Sequence, residues 1–308
     1  MTRPALDQTL TMENIAALPV SDVRDYIALL KPGVMTLVVF TGAVGLLIAP
    51  GYIHPFLALV AIGCIAVASG AAASINMWYD RDIDLHMKRT QNRPIPAGRV
   101  PADEALTLGI ALSILSVTVM ATAINFAAAA LLALSIAFYV FVYTMWLKRR
   151  TPQNIVIGGA AGAFPPMIGW AAVTGGVDLN SIALFLIIFM WTPPHFWALA
   201  LFRCGDYAKV GVPMMPVVAG EAATKKQMMI YTILLLPVTL IPYATGLLGV
   251  FYAVTAALTG VLFLRHAWRV LRNADDKAPQ KMFGFSILYL FVLFGAMVAD
   301  VWLQGYLA

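Results

Sequence analysis

An amide and two carboxylates stand at four-residue intervals where a long apolar segment ends. Asn76, Asp80 and Asp84 occupy these positions. On a helix, side chains four residues apart lie on one face, about 6 Å from one another. Oxygen ligands with this spacing suit Mg²⁺, which takes few protein carboxylates when it is shared with phosphates. The pattern predicts a site for Mg²⁺ and a phosphorylated ligand; the alternative is that the three side chains only hydrate a helix end.

More cations lie near this triplet than its carboxylates can pair. They are Lys88, Arg89, Arg93, Lys148, Arg149, Arg150 and Lys209. Taken singly, each is more typical of a membrane-topology signal than of a ligand contact. Together they form a candidate clamp for a diphosphate. A second acidic loop contains Asp206 in a similar basic setting, and we expect Asp206 to face the first acidic cluster.

The composition places this site at a membrane. The chain is 61% hydrophobic and 11% charged, whereas about 25% of the residues in soluble domains are charged. Apolar runs of membrane-spanning length predict about nine spans. These are residues 33–50, 55–75, 104–122, 127–147, 154–174, 181–202, 228–247, 249–268 and 283–304. The expected fold is all-α, a polytopic membrane protein with one transmembrane domain (31–308) after an N-terminal segment (1–30).

The positions of the charges predict the orientation of the spans. With nine spans, all 20 Lys and Arg fall on one side. The positive-inside rule makes that side cytoplasmic, with the N-terminus inside and the C-terminus outside. Residues 1–30 are too polar for a secretory signal, so we expect the first span to be an uncleaved anchor. The net charge of +5 follows from this topology in a lipid bilayer and requires no nucleic-acid partner.

Two of the predicted spans contain paired prolines, Pro165-Pro166 and Pro193-Pro194. Each pair lies about 15 Å from the cytoplasmic end by helix rise. Broken helices are tolerated at this depth where they line a cavity, so we expect a cavity below the charged site. His195 follows the second pair, about 12 Å deep. Such a histidine either joins two helices by a hydrogen bond or binds a flat, cofactor-like substrate, because imidazole suits iron.

The triplet Asn76-x-x-x-Asp80-x-x-x-Asp84 resembles the first signature of the membrane-embedded prenyltransferases of the UbiA superfamily. Further strings are similar to its heme-directed branch. They run from Tyr143 to Pro166, from Trp191 to Ala200 and from Asp206 to Pro216. The resemblance covers nearly the whole chain from about Lys31 onward. The general second motif of the superfamily has Asp at both ends of D-x-x-x-D, whereas Val stands at position 210, so only Asp206 is carried over.

The resemblance implies nine transmembrane helices around a central cavity in a bacterial-type cytoplasmic (inner) membrane. It implies transfer of the farnesyl group of farnesyl diphosphate to a vinyl group of protoheme IX, with Mg²⁺ as cofactor and heme A synthase as the enzyme that follows. The implied roles are catalysis by Asp80, Asp84 and Tyr143, metal binding by Asn76, Asp80, Asp84 and Asp206, and heme binding by His195 and Trp197. The faces of Trp78, Tyr79, Tyr143 and Tyr207 are candidates for stabilising an allylic cation.

Other classes of function remain open on the sequence. Within the superfamily, the alternative is a prenyltransferase that acts on an aromatic quinone precursor. A secondary transporter would also have broken helices, but its charges should lie within the spans. Here Asp300, near the outer end, is the acidic residue well inside an apolar run. A structural or assembly protein would not require carboxylates at metal-binding spacing.

Overall fold

Long apolar helices make up most of the fold. A computed structural model describes residues 22–273 and 275–307, and within these ranges the chain forms helices and turns but no strand. The first 21 residues of the predicted N-terminal segment lie outside the described part. This all-helical architecture confirms the predicted fold class.

Within the described residues, eight helices, or nine spans when a bent helix pair is taken as one, are long and apolar enough to cross a membrane. The bent pair is Val23–Leu29 with Pro32–Leu47, with an angle of 53°. The spans are labelled α1 (Pro32–Leu47), α2 (Pro55–Tyr79), α3 (Ala102–Ile124), α4 (Phe126–Leu147), α5 (Asn154–Thr174), α6 (Leu179–Phe202), α7 (Gly220–Ala244), α8 (Val250–Leu271) and α9 (Ala278–Gly305). The chain is therefore an integral membrane protein, as its hydropathy predicts.

The bend before α1 follows from local sequence. Pro32 stands at the first position of α1, where its missing N–H costs nothing. A proline disfavours the α conformation of the residue before it, and Lys31 adopts a left-handed conformation with a φ of 53°. The short helix Val23–Leu29 packs Leu29, fully buried, against the loop end of α2 and the start of α3. The bend thus places Lys31 beside the end of α2.

Consecutive spans pack against one another, and α9 contacts α1, so the helices close into a ring. Glycines let α1 and α5 approach closely. A Cβ atom on Gly45 would lie 2.1 Å from the carbonyl oxygen of Pro166, and one on Gly169 would lie 2.1 Å from that of Gly42. This contact holds α5 next to α1 along one wall of the interior.

The paired prolines do not break their helices, and that part of the sequence prediction is wrong. Pro165-Pro166 lies within Ala160–Thr174, and Pro193-Pro194 lies within Leu179–Phe202. Pro165 cannot donate a hydrogen bond to the carbonyl of Ala161. The hydroxyl of Ser135 on α4 donates to that carbonyl instead, at 3.2 Å. A neighbouring span therefore satisfies the freed backbone group, as is common for prolines in membrane helices.

The described lysines and arginines lie at one end of the ring, here named the charged end, where α2, α4 and α6 finish. The short helix Arg81–Asp84 continues from α2 at this end, and Cys204–Lys209 follows α6. The last ten residues of α4, Phe138–Leu147, form a π-helix. Such wide turns are rare and frequently occur at functional sites.

Candidate active site

Asn76, Asp80 and Asp84 form one hydrogen-bonded series at the end of α2. Their exposed fractions are 4%, 0% and 2%. The Nδ2 atom of Asn76 donates to Asp80 Oδ2 at 2.8 Å and to the hydroxyl of Thr144 on α4 at 3.1 Å. The backbone N–H of Asp84 donates to the carbonyl of Asp80 at 2.9 Å. The three predicted metal ligands therefore lie together, and α4 fixes the amide.

Each of these three side chains is bound by a separate cation. Lys148 pairs with Asp80. Arg93 pairs with Asp84 at 2.5 Å, and Lys31 Nζ donates to Asn76 Oδ1 at 2.8 Å. Buried carboxylates require such partners. The same cations provide the positive charge that an anionic ligand would meet.

One carboxylate oxygen in the series has no hydrogen bond. Asp80 Oδ1 is buried and unpartnered, although Arg149 Nη2 lies 3.5 Å away. Arg149 is engaged elsewhere. It binds both oxygens of Asp82 at 2.7 Å and stacks on the Tyr79 ring, with 5.0 Å between Cζ and the ring centroid. The Arg149 guanidinium holds the pKa of the Asp82 carboxyl below its usual value.

A cavity of about 360 Å³ extends from this series into the membrane-spanning part of the ring. At the charged end its wall includes Lys31, Asn76, Asp84, Arg89, Arg93 and Lys148. Below them, α1, α2, α4, α5 and α6 contribute mainly apolar side chains, and Tyr139, Tyr143 and Tyr207 also line the cavity. A charged mouth above an apolar chamber suits a ligand with an anionic head and an apolar body.

The cavity divides the residues that the sequence singled out. Asn76, Asp84, Arg89, Arg93, Tyr143, Lys148, His195 and Tyr207 line it. Outside the lining are Asp80, which is paired with Lys148, and also Trp78, Tyr79, Lys88, Arg149, Trp197, Asp206 and Lys209. Trp197 packs edge-on against Tyr231 of α7, with ring centroids 5.5 Å apart. For the residues outside the lining, a ligand contact stays a prediction.

His195 lies in the cavity wall between two aromatic rings. Trp191 stacks on it at 4.2 Å and Phe283 of α9 at 4.6 Å, as measured between ring centroids. Its Nδ1 atom lies 2.6 Å from the hydroxyl of Ser286, and that hydroxyl also donates to the carbonyl of Phe283 at 2.6 Å. The ring is therefore held in one plane and joins α6 to α9.

Comparison with known proteins identifies the family. The sequence model described as the UbiA prenyltransferase family matches residues 38–295. The chain belongs to the UbiA prenyltransferase family. This membership confirms the resemblance seen in the triplet motif and accounts for the ring of helices around a cavity.

One curated relative and two solved structures illustrate the similarity. Protoheme IX farnesyltransferase of Acidiphilium cryptum is 61% identical over 285 residues, which cover 90% of each chain. A structure described for digeranylgeranylglyceryl phosphate synthase has a TM-score of 0.75 at 20% identity, covering 90% of this chain and 98% of that one. A UbiA homolog from Archaeoglobus fulgidus, bound to DMAPP and Mg²⁺, has a TM-score of 0.62 at 17% identity, covering 89% and 99%.

The donor set of this UbiA-family site fits Mg²⁺ that is shared with phosphates. Asn76, Asp80 and Asp84 offer only oxygen ligands, and the buried Oδ1 of Asp80 makes no hydrogen bond. Among residues 22–273 and 275–307, no three His, Cys, Asp or Glu side chains are grouped closely enough to hold a metal ion. Mg²⁺ commonly combines one or two carboxylates with substrate phosphates, which matches this incomplete set. Asp206 is not brought into it.

Lys31 and Tyr139 line the cavity but were not predicted as site residues from the sequence. From the sequence, Lys31 was interpreted as a charge that only sets the membrane topology. A cation at the end of a span gives the same sequence pattern whether it sets the topology or binds a ligand. Tyr139 precedes Tyr143 by four residues, and their rings lie 5.4 Å apart. Tyr139 lies in an apolar span without polar neighbours, so its position did not suggest a site residue. The spacing of four residues between two tyrosines could have suggested one, because it places both rings on one helix face.

Proposed function

We propose that this UbiA-family chain transfers the farnesyl group of farnesyl diphosphate to a vinyl group of protoheme IX. Water adds in the same overall reaction, and the products are heme O and diphosphate. The observation that carries the proposal is the single cavity, because it joins a cationic end to an apolar chamber with a stacked histidine in its wall. The name of the Acidiphilium relative supports the same reaction.

The charged end is suited to receive the leaving group. Lys31, Arg89, Arg93 and Lys148 line the cavity there and would neutralise the diphosphate as the carbon–oxygen bond breaks. Lys88, Arg149 and Lys209 are proposed to support the clamp from outside the lining. A bound Mg²⁺, held by Asn76, Asp80 and Asp84, would act as a Lewis acid on the phosphate oxygens.

The region just below the charged end would stabilise the allylic carbon. Tyr143 and Tyr139 present aromatic rings to the cavity, and an aromatic face attracts a cation by its quadrupole. Apolar side chains surround the rest of the chamber. They exclude water until the vinyl carbon has attacked, after which one water must reach the resulting benzylic-type cation and lose a proton.

The α6 side of the chamber is suited to the porphyrin. His195 is held between Trp191 and Phe283, and planar aromatic rings favour contact with a flat macrocycle. Trp197 is proposed to support this wall from behind, through its contact with Tyr231. The transmembrane domain (31–308), the cytoplasmic N-terminus, the inner-membrane location and a heme A synthase that takes the product belong to the same proposal.

A reaction with purified protein tests this function. The enzyme in detergent would be incubated with heme, Mg²⁺ and farnesyl diphosphate, and the pigments would be separated and weighed by mass spectrometry. Heme O and an equal amount of diphosphate are expected. Prenylation of 4-hydroxybenzoate, with heme left unchanged, would instead favour a quinone-precursor enzyme. Diphosphate release in neither reaction would contradict both readings.

A further inference from the structure

Below the charged end, the cavity continues as a groove along one face of α2. The lining residues of α2 are Ile65, Ala68, Ser69, Ala72, Ala73 and Asn76. Their three- and four-residue steps place them on a single helix face. Eleven residues separate Asn76 from Ile65, which corresponds to about 16 Å of helix rise. The face therefore runs from the metal-binding end to the middle of the span.

Two neighbouring helices define the same depth. On α4, the lining runs from Tyr143 to Leu132, again eleven residues; because Phe138–Leu147 is a π-helix with a smaller rise per residue, this stretch is at most about 16 Å long. On α5, the lining begins at Ile155, and from Gly158, which lies against the Tyr143 ring, it extends ten residues or about 15 Å to Ile168. Three helices thus end their lining at nearly equal distances below the charged end.

Side-chain size changes abruptly at that depth. Between the level of Gly158 and this depth, the α2 and α5 walls consist of small residues such as Ala68, Ala72 and Gly162, and the larger Ile155 lies above them. At the bottom stand Ile65, Leu132 and Ile168, which are at most 2% exposed and belong to one buried apolar cluster. These three large side chains belong to the same buried cluster and close the groove at its bottom. They are here named the floor.

We propose that this groove measures the prenyl chain and that Ile65, Leu132 and Ile168 set the accepted length at three isoprene units. The proposal rests on the proposed function, which places the diphosphate at the charged end. An extended farnesyl chain is about 15 Å long, from carbon–carbon bonds of about 1.5 Å. That length matches the depth of the groove. A fourth isoprene unit would meet the floor.

Gly162 provides a way to shorten the groove without disturbing the helix packing. It is exposed although its neighbours Ala161 and Ala163 are buried, and it lines the cavity. A Cβ atom on Gly162 would meet no atom within 4 Å. A larger side chain at this position would therefore occupy the middle of the groove, about 9 Å above Ile168 by helix rise.

The first experiment uses Gly162→Leu with Gly63→Leu as its matched control. Gly63 is also exposed with no atom within 4 Å of a Cβ, but it lies outside the cavity lining. Initial rates of heme prenylation would be compared for geranyl, farnesyl and geranylgeranyl diphosphate. Gly162→Leu is expected to lower the farnesyl-to-geranyl ratio of kcat/KM by about tenfold or more, as one methylene in an apolar pocket can give this discrimination. Gly63→Leu should keep the wild-type ratio.

The second experiment lowers the floor with Leu132→Ala and Ile168→Ala, singly and together. The geranylgeranyl-to-farnesyl ratio of kcat/KM is expected to rise by about tenfold or more. Affinities for farnesyl and geranylgeranyl thiolodiphosphates would be measured in the same detergent without heme. These unreactive analogues report chain length independently of the acceptor.

The outcomes separate this inference from the proposed function. If wild-type protein makes no heme O, the function fails, and the analogue affinities still decide whether the groove measures the chain. If Gly162→Leu binds heme with wild-type affinity and spectrum but keeps the wild-type order of chain-length preference, the groove does not hold the chain. A variant that loses heme binding and keeps that order would assign the groove to the porphyrin and overturn the proposal.

Discussion

The Nδ1 atom of His195 lies 2.6 Å from the hydroxyl oxygen of Ser286, which is fully buried on α9. The single hydroxyl hydrogen of Ser286 is donated to the carbonyl of Phe283. A carbonyl can only accept, so both contacts are satisfied together when Ser286 accepts a hydrogen bond from His195, and we assign the imidazole proton to Nδ1 on this basis. The Nε2 atom then keeps its lone pair. That tautomer is the one in which a histidine can bind a metal through Nε2.

Replacing Ser286 by alanine should weaken the heme contact of His195. The variant removes the acceptor that fixes the tautomer. Loss of such a supporting hydrogen bond typically lowers metal affinity by about 10- to 100-fold. A spectral titration with heme would show a lower affinity and an altered Soret band. Affinity for farnesyl thiolodiphosphate should stay at the wild-type value.

Ser74 offers a matched control for this prediction. It is equally buried, its hydroxyl donates to the carbonyl of Ala105 at 2.7 Å, and it lies outside the cavity lining. Ser74→Ala should leave the heme spectrum unchanged. An identical spectrum for Ser286→Ala and wild type would assign Ser286 to helix packing alone.

Mg²⁺ should bind this protein weakly until a diphosphate is present. Lys148, Arg93 and Lys31 each bind one oxygen of a predicted ligand, and these cations repel a divalent ion. A diphosphate would attract the same cations and free the oxygens. We expect farnesyl thiolodiphosphate to raise Mg²⁺ affinity by about tenfold or more, as measured by isothermal titration calorimetry. Equal Mg²⁺ affinity with and without the analogue would contradict this linkage.

The spans could be predicted from sequence because the membrane acts on each segment locally. An apolar run of sufficient length must form a helix in lipid, whatever its neighbours are. The paired prolines were misinterpreted for the opposite reason. The partner that satisfies the carbonyl freed by Pro165 is Ser135, on another span. A contact between distant segments of the chain leaves no local pattern.

The grouping of Asn76, Asp80 and Asp84 could be predicted from the sequence, but the cations with which they pair could not. Helical spacing brings Asn76, Asp80 and Asp84 together within one segment. Which cation reaches the cavity depends on tertiary structure, since Arg149 is captured by Asp82 whereas the adjacent Lys148 lines the cavity. Lys31 reaches Asn76 only because the chain bends before α1. The sequence shows each charged residue but not the residue with which it pairs.

The contact between α1 and α5 should be intolerant of a single methyl group. A Cβ on Gly45 would lie 2.1 Å from the Pro166 carbonyl oxygen, so the helices must separate. Such overpacking costs about 1–3 kcal/mol. Gly45→Ala should lower the thermal unfolding midpoint in detergent, whereas Gly63→Ala, which has open space around it, should not. Matching midpoints for both variants would show that the helices can shift at no cost.

Lys148 should affect one substrate selectively. It lines the cavity beside Asp80. Lys148→Ala is therefore expected to raise the KM for farnesyl diphosphate about tenfold to hundredfold, which corresponds to the loss of one hydrogen bond to a charged group. The KM for heme should change little. Arg149→Ala should have a smaller effect on the KM for farnesyl diphosphate, because Asp82 holds that side chain outside the lining. A larger rise in the KM for heme would place the clamp elsewhere.

Asp80 and Asp82 provide the sharpest comparison at the charged end. Both carboxylates contact Arg149, but Asp80 is fully buried in the ligand series whereas the side chain of Asp82 is 60% exposed. Asp80→Asn removes a charge and keeps the shape of the side chain. It should lower kcat/KM by about a hundredfold or more, the typical effect of losing one preorganised electrostatic group in an active site. The kcat/KM of Asp82→Asn should stay within a few fold of the wild-type value.

Heme titration would verify that both variants are folded. Near-normal Mg²⁺-dependent turnover by Asp80→Asn would remove Asp80 from the catalytic site, because a neutral amide cannot replace a carboxylate that neutralises the metal.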